Sequence, residues 1–146
     1  MGHIRPPQHQ RKVILMQVSL FGSTGFVGGN YLENSILDVI PIQRESRDAK
    51  SPEILFCIGT TDNYNVFQDI FIDIDVNIRV LLEVLESNRK IHNNFTINLV
   101  STWFVYGNQV LPFKEDSSCD PRGFYSISKY AAEKFLVSYC ETFNIN

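Results

Sequence analysis

The stretch QVSLFGSTGFVGGNYL, residues 17–32, decides the fold. Its first part, Gln17 to Phe21, is a short apolar run typical of a buried strand. A helical pattern begins at about Phe26 and extends to Leu37. Between the two lie three glycines at a spacing of three, Gly22, Gly25 and Gly28. Strand, glycine-rich turn and helix in this order predict the first unit of an α/β domain.

The glycine-rich turn is suited to holding a phosphate group. Glycine permits a tight turn and lets the backbone approach a pyrophosphate, while the helix N-terminus supplies free N–H groups and a positive dipole end. The candidate binding residues are Gly22, Ser23, Thr24, Gly25, Phe26, Val27 and Gly28. A turn that merely contains three glycines is the alternative, but the strand before it and the helix after it favour a dinucleotide.

The rest of the chain continues the alternation of strands and helices. Apolar runs at 38–43, 54–59 and 95–100 predict three more strands, and helical patterns cover 70–87 and 124–142. Strands that are continuous apolar runs are typical of a parallel sheet covered on both faces. We therefore predict a doubly wound α/β domain over residues 13–146, after a flexible arm at 1–12.

Composition excludes several classes of protein. Thirteen basic against sixteen acidic residues give a net charge of −3, which argues against a nucleic-acid-binding surface. No apolar run approaches the roughly 20 residues that span a bilayer, so no membrane association is expected. The three cysteines are widely spaced and the three histidines scattered, so we expect neither a disulfide framework nor a metal site. The expected compartment is the cytoplasm.

Tyr125 and Lys129 stand four residues apart in the last helical pattern, and therefore on one helix face. A free tyrosine has a pKa of about 10 and is a poor base at neutral pH, but a nearby ammonium lowers that pKa. The pair could therefore move a proton to or from a substrate hydroxyl. An exposed helix face with Tyr and Lys side by side is the alternative.

Ser101 and Thr102 directly follow the fourth predicted strand. Ligands of doubly wound domains bind at the carboxyl ends of the strands, so a hydroxyl there could hold the substrate oxygen that Tyr125 protonates. An ordinary Ser/Thr cap or turn is the alternative.

Three aspartates, Asp69, Asp73 and Asp75, cluster at the start of a predicted helix. Acidic groups at this end interact favourably with the helix dipole, and we prefer that interpretation to a metal site.

Taken together, these features resemble the extended short-chain dehydrogenase/reductase family, of the NAD(P)-dependent sugar epimerase/dehydratase kind. The matching segments are FGSTGFVGGNYL (21–32), ILFCIG (54–59), DVNIRVLLEVLE (75–86), STWFVYG (101–107) and FYSISKYAAEKFL (124–136). They cover nearly the whole chain from Gln17 onward. The resemblance implies that residues 13–146 form a Rossmann-like, NAD(P)-binding domain.

The resemblance implies an enzyme that acts on a nucleotide-linked sugar and transfers a hydride through its cofactor. Such an enzyme would be either an isomerase of the epimerase type or an oxidoreductase. Tyr125 would be the acid/base, Lys129 would lower its pKa and bind the nicotinamide ribose, and Thr102 would orient the sugar hydroxyl. Trp103 and Phe104 occupy the positions of an Asp-Glu pair in the family's dehydratases, which disfavours dehydration. The resemblance also implies a homodimer through helices 70–87 and 124–142.

The residues directly after the second predicted strand bear on the cofactor preference. An acidic residue that would hold a ribose 2′-hydroxyl is absent there, and Gln43 and Arg44 take its place. An arginine can pair with a 2′-phosphate, which favours NADP over NAD. Glu45 and Asp48 lie close enough in the sequence to keep NAD open.

The chain departs from the family in two respects. Only about ten residues link the second and third predicted strands, fewer than a parallel crossover usually needs, so we expect a sheet trimmed at that place. Family members also continue for about as long again after the Tyr-Lys helix, so we expect the C-terminal strands and the substrate domain to be lacking. The alternative function is therefore a truncated, catalytically silent dinucleotide-binding or dimerisation module.

Overall fold

Four parallel strands form one sheet, in the order β2-β1-β3-β4. The structure is a computed structural model that describes residues 16–108 and 111–145, so the predicted arm at 1–12 lies outside the described residues. The strands are β1 Gln17–Phe21, β2 Asp38–Ile42, β3 Glu53–Phe56 and β4 Thr96–Leu99. An all-parallel sheet with helices between β1 and β2 and between β3 and β4 confirms the Rossmann-like α/β fold.

Three helical bodies accompany the sheet. Helix α1, Phe26–Asn34, follows β1. The second body runs without a break through α2, Ile72–Ile74, a π-helical turn, Asp75–Arg79, and α3, Val80–Ile91. Helix α4, Phe124–Phe143, is the last element. Short 3₁₀ helices occupy Asn65–Phe67 and Trp103–Tyr106. None of the helices in the described part is long and apolar enough to cross a membrane.

One face of the sheet carries the core. Side chains alternate along each strand, and those of Phe21, Ile54, Phe56 and Ile97 point to the same side and are buried. The same cluster contains residues of α3 and α4, namely Leu81, Val84, Leu85 and Ala132. Helix α1 packs against β1. Because right-handed crossovers to opposite sides of β1 must pass over opposite faces, α1 lies on the face away from α3.

The link between β2 and β3, residues 43–52, is pinned to the core face by two buried polar side chains. Ser19 Oγ, on central strand β1, accepts the backbone N–H groups of Lys50 at 2.8 Å and Ser51 at 2.9 Å. Asn88 Oδ1 accepts the N–H of Ala49 at 2.8 Å, and Asn88 Nδ2 donates to the Arg47 carbonyl at 2.8 Å. The link therefore crosses β1 without a helix, which confirms the trimmed sheet.

The same contacts correct the end of the helical pattern predicted at 70–87. Helix α3 extends to Ile91, because Asn88 lies fully buried on its inner face. Besides binding the link, the Asn88 side chain donates to the Val84 carbonyl within the helix at 2.7 Å. A polar residue at this position thus belongs to the packed interface, not to a loop.

We expect Ser19→Ala to lower the free energy of unfolding by about 2–4 kcal/mol, because it leaves two backbone N–H groups without an acceptor under the sheet. Urea unfolding measures the effect. Ser46→Ala is the matched control: Ser46 lies in the same link, is half-buried and accepts only the Asp48 N–H at 3.2 Å. Its cost should stay below about 1 kcal/mol. Equal losses for the two variants would contradict the pinned link.

A polar cluster fastens α4 to α3 near their ends. The Tyr139 hydroxyl donates to Glu86 at 2.6 Å, and Arg89 donates to the same carboxylate at 2.8 Å while lying over the Phe143 ring. Hydrogen bonds from Arg89 and Tyr139 lower the pKa of Glu86 to about 2, and burial with the bond to Glu86 raises the pKa of Tyr139 to about 12. These contacts hold the two helices together and so orient α4 over the sheet.

Candidate functional site

The glycine-rich turn after β1 needs a glycine at two positions for clear steric reasons. Gly22 has a φ of +86°, and a Cβ there would lie 2.9 Å from backbone atoms of Cys57 and Ile58. A Cβ on Gly28 would lie 2.2 Å from the Gly22 carbonyl oxygen. The first glycine therefore lets the turn touch the residues after β3, and the last lets α1 start directly against the turn.

The N-terminus of α1 is open for a ligand. Gly25 is its N-cap residue and has no side chain to accept the first-turn N–H groups. Phe26 and Val27 are 88 % and 51 % exposed, so their side chains leave the helix end clear. The arrangement offers backbone N–H groups and the positive end of the helix dipole to an anion.

A cavity of about 510 Å³ lies in front of this turn, at the carboxyl ends of the strands. Its wall combines the glycine turn, the end of β2, the residues after β3 and one residue of the π turn. The lining residues are Gly22, Ser23, Thr24, Gly25, Pro41, Ile42, Gln43, Arg44, Cys57, Ile58, Gly59 and Val76. The third strand ends at Phe56, not at Gly59 as predicted, and this early end frees residues 57–59 to line the cavity.

Of the cofactor-binding candidates, five line this cavity: Gly22, Ser23, Thr24, Gly25 and Arg44. Gly28 is buried behind the turn, and Phe26 and Val27 begin α1 beside it. Tyr125 and Lys129 lie on α4, outside the cavity lining.

The charged residues of the link divide between the cavity and α3. Arg47 turns to α3, where its Nε donates to Glu83 at 2.7 Å. Asp48 also faces α3 and accepts from Ser87 at 2.5 Å. Arg44 lines the cavity, and its side chain forms no ion pair with any residue that the structure describes. Arg44 is therefore the cation available to a ligand at this end of the cavity.

Lys129 is the buried cation nearest to the cavity. The side chain is only 4 % exposed, and its Nζ donates to the Val100 carbonyl, at the end of β4, at 2.7 Å. Nζ also lies 3.5 Å from the point that a Cβ on Gly59 would occupy. Burial lowers the pKa of Lys129, against the opposing influence of Glu133 and Cys57. The ammonium thus borders the cavity from behind Gly59.

Tyr125 and Thr102 are joined through Phe104. The Phe104 ring meets the Tyr125 ring edge-on, with 6.1 Å between centroids. The Phe104 N–H is accepted by Thr102 Oγ1 at 3.3 Å, so Thr102 caps the 3₁₀ helix that begins at Trp103. The cap alternative for this hydroxyl is therefore observed. Because a hydroxyl both accepts and donates, its hydrogen remains for another partner.

A buried polar network that the sequence did not predict fixes the first turn of α4. Asn77, in the π turn, donates to Ser128 Oγ and to Thr60 Oγ1, both at 2.8 Å. Ser128 Oγ in turn donates to the Tyr125 carbonyl at 2.8 Å, and Thr60 Oγ1 donates to Asp73 at 2.5 Å. Asp73 is only 1 % exposed, so its carboxylate serves this network and not the exposed helix start.

The sequence contains a signal for this network, namely the spacing of Asp73 and Asn77. Both are polar, four residues apart, on the same side of a helix as apolar core residues. In the structure they hold α2 and the π turn against α4. Tyr125 and Lys129 therefore sit on a helix turn whose position is set by buried hydrogen bonds.

Sequence comparison identifies the family. Residues 66–146, more than half of the chain, match the family model described as GDP-mannose 4,6 dehydratase. The chain belongs to the NAD(P)-dependent sugar epimerase/dehydratase family. The resemblance noted from the motifs is thereby confirmed. No curated protein sequence matches the chain.

Solved structures of sugar-nucleotide epimerases and reductases have a similar fold. The chain is similar to RMD from Pseudomonas aeruginosa, complexed with NADPH, with a TM-score of 0.76 and 21 % identity over 89 % of this chain and 51 % of that one. UDP-glucose 4-epimerase from Thermus thermophilus, in complex with NAD, gives a TM-score of 0.77 and 21 % identity over 89 % and 52 %.

A third similar structure is dTDP-4-dehydrorhamnose reductase from Bacillus anthracis, in complex with NADP. Its TM-score is 0.74, with 17 % identity over 88 % of this chain and 51 % of that one. At these identities the likeness shows the fold of the epimerase/dehydratase family. The chain spans about half the length of the structures it matches.

Proposed function

We propose that this chain is an NAD(P)-dependent epimerase or reductase that acts on a nucleotide-linked sugar. The observation that carries the proposal is the meeting of two features at Gly59. That residue lines the cavity in front of the glycine turn, and the Lys129 ammonium lies directly behind it. A dinucleotide site and the Tyr-Lys helix would therefore share one end of the sheet.

The chain's own residues fit a dinucleotide. A side chain at Gly22 or Gly28 would clash with backbone where the turn, β3 and α1 meet. With glycine at both positions the turn packs closely, and its backbone can face a pyrophosphate. Ser23, Thr24, Phe26 and Val27 would contribute backbone N–H groups around it. Gly25, whose own N–H donates to the Gly22 carbonyl at 3.1 Å, would let the phosphates approach closely. When bound, the cofactor supplies the hydride chemistry.

Tyr125 would exchange the proton at the sugar hydroxyl that is oxidised or regenerated. Lys129 lies one turn away on the same helix, and its ammonium would assist the proton transfer. Thr102 would donate its hydroxyl hydrogen to the same sugar oxygen while still capping the 3₁₀ helix. Trp103 and Phe104 have no group to act as acid or base, so dehydration is disfavoured.

Hydride transfer tests this function directly. The chain is mixed with NADPH or NADH and a nucleotide-linked keto sugar, and loss of the reduced nicotinamide absorbance is followed. Because an epimerase returns its hydride to the sugar and consumes no cofactor, conversion of a nucleotide-linked sugar to its epimer with NAD or NADP is followed in parallel by chromatography. We expect turnover with product formation. Cofactor binding without turnover would instead favour a catalytically silent dinucleotide-binding module. Absence of both would overturn the enzyme and the dinucleotide-binding module together and favour the dimerisation module.

Arg44 is proposed to favour NADP over NAD by pairing with the 2′-phosphate. We expect Arg44→Ala to weaken NADPH binding roughly tenfold and to leave NADH binding within about twofold. The reason is that only NADPH carries the 2′-phosphate with which the arginine would pair. Lys50→Ala is the control, since it removes an exposed cation of the same link that does not line the cavity. Equal weakening of both cofactors by Arg44→Ala would contradict this role.

A homodimer through the helices predicted at 70–87 and 124–142, which the structure places at 72–91 and 124–143, is also proposed. Apolar side chains on both bodies are about half exposed: Ile74, Ile91, Ile127, Phe135 and Val137. Sedimentation equilibrium should give twice the mass of one chain, and a profile containing only monomer would remove this proposal. We also propose the cytoplasm as the compartment of this protein.

A further inference from the structure

The cavity has a closed end and an open end. At the closed end, the glycine turn meets Cys57, Ile58 and Gly59, all half-buried, with Lys129 buried behind them. At the open end the wall consists of residues at the end of β2. There Pro41, Gln43 and Arg44 are all exposed.

The path of the link keeps this end open. In doubly wound sheets of the common order 3-2-1-4-5-6, another strand follows beyond the second one. Here the chain leaves β2 at Gln43 and crosses back over β1 on the core face, where Ser19 and Asn88 hold it. Among residues 16–108 and 111–145, β2 is therefore an edge strand of the sheet.

This geometry decides which parts of a dinucleotide the site can recognise. With the pyrophosphate at α1 and the nicotinamide end toward Lys129, the base at the other end would lie over the end of β2. The side chains there, Gln43 and Arg44, are exposed to water. A buried site discriminates strongly between bases, because the wrong base leaves buried donors or acceptors of the protein unpaired. At an exposed site water replaces the lost partner, so the wrong base costs little.

We propose that this site recognises the phosphates of its dinucleotide and is indifferent to the purine base. The inference rests on the proposed dinucleotide function and deepens it. The ligand class is nicotinamide dinucleotides with any purine, selected by the pyrophosphate at the glycine turn and by the 2′-phosphate at Arg44. The base contributes stacking area on the chain's surface but no hydrogen-bond selection.

Calorimetric titration of the full chain tests the inference with three ligands: NADPH and its analogues that carry hypoxanthine or guanine in place of adenine. Both analogues change the hydrogen-bonding edge of the base and keep every phosphate. We expect all three dissociation constants to agree within about threefold. An analogue that binds tenfold or more weakly than NADPH would overturn the inference and leave the dinucleotide function standing.

A second arm separates the two proposals. If none of the three ligands binds to folded protein, the dinucleotide function and the inference fall together. The Arg44→Ala variant should bind all three more weakly by the same factor, because it removes the charge contact and no base contact. A factor that differs tenfold between bases in this variant would place base recognition at Arg44 and overturn the inference.

Discussion

Tyr125→Phe should abolish turnover while leaving NADPH affinity unchanged. The substitution removes one hydroxyl and keeps the ring, which is buried and packs edge-on against Phe104. Loss of a positioned acid/base lowers a rate by roughly 10²- to 10⁴-fold. The measurement is turnover of a nucleotide-linked keto sugar with NADPH, together with calorimetric titration of NADPH alone.

The matched control for this prediction is Tyr130→Phe. Tyr130 lies on the same helix, five residues further on. The Lys134 ammonium lies over its ring in a cation–π contact, 4.9 Å from the ring centroid. Since phenylalanine keeps that ring, we expect turnover within about twofold of the unsubstituted chain. Turnover retained in Tyr125→Phe, or lost equally in both variants, would contradict the role assigned to Tyr125.

Gly28→Ala should remove cofactor binding. The new Cβ would lie 2.2 Å from the Gly22 carbonyl oxygen. That oxygen belongs to the backbone and the Cβ is fixed to its own Cα, so neither atom can swing away as the end of a long side chain does. The turn and the start of α1 must therefore separate, which displaces the N–H groups offered to the pyrophosphate. We expect the affinity for NADPH to fall by roughly 100-fold or more, measured by calorimetry.

Gly29→Ala controls for the general effect of a methyl group in α1. A Cβ on Gly29 would lie 3.4 Å from the Ser23 carbonyl oxygen, an ordinary contact, and alanine favours a helix over glycine by about 1 kcal/mol. This variant should bind NADPH like the parent and be equally or more stable. Far-UV circular dichroism checks that Gly28→Ala retains its helices. Parent-like NADPH affinity in Gly28→Ala would contradict the packed turn.

The features predictable from the sequence are those that local chemistry determines. The run from Gln17 to Phe21 followed by three glycines predicted β1 and α1 because strand, turn and helix each leave their own local pattern. The length of the link between β2 and β3 also predicted the trimmed sheet, since a link of about ten residues is too short to hold a crossover helix.

The features that could not be predicted depend on contacts between distant residues. Asn88 is a polar residue after a helical pattern, and nothing nearby indicates that it binds a link 39 residues away. In the sequence, Ser19 is likewise a polar interruption of an apolar strand. Only the structure shows that its hydroxyl binds the link between β2 and β3. Asp73 has the local features of a helix start, yet Thr60 and α4 bury it.

A working dinucleotide site at the glycine turn after β1 is the central claim for this chain. Calorimetric titration of the unsubstituted chain with NADPH, and separately with NADH, tests it most directly. We expect one bound molecule per chain, with NADPH held more tightly because of Arg44. Folded, monodisperse protein that releases or absorbs no heat with either cofactor, and shows no binding by equilibrium dialysis, would contradict the claim.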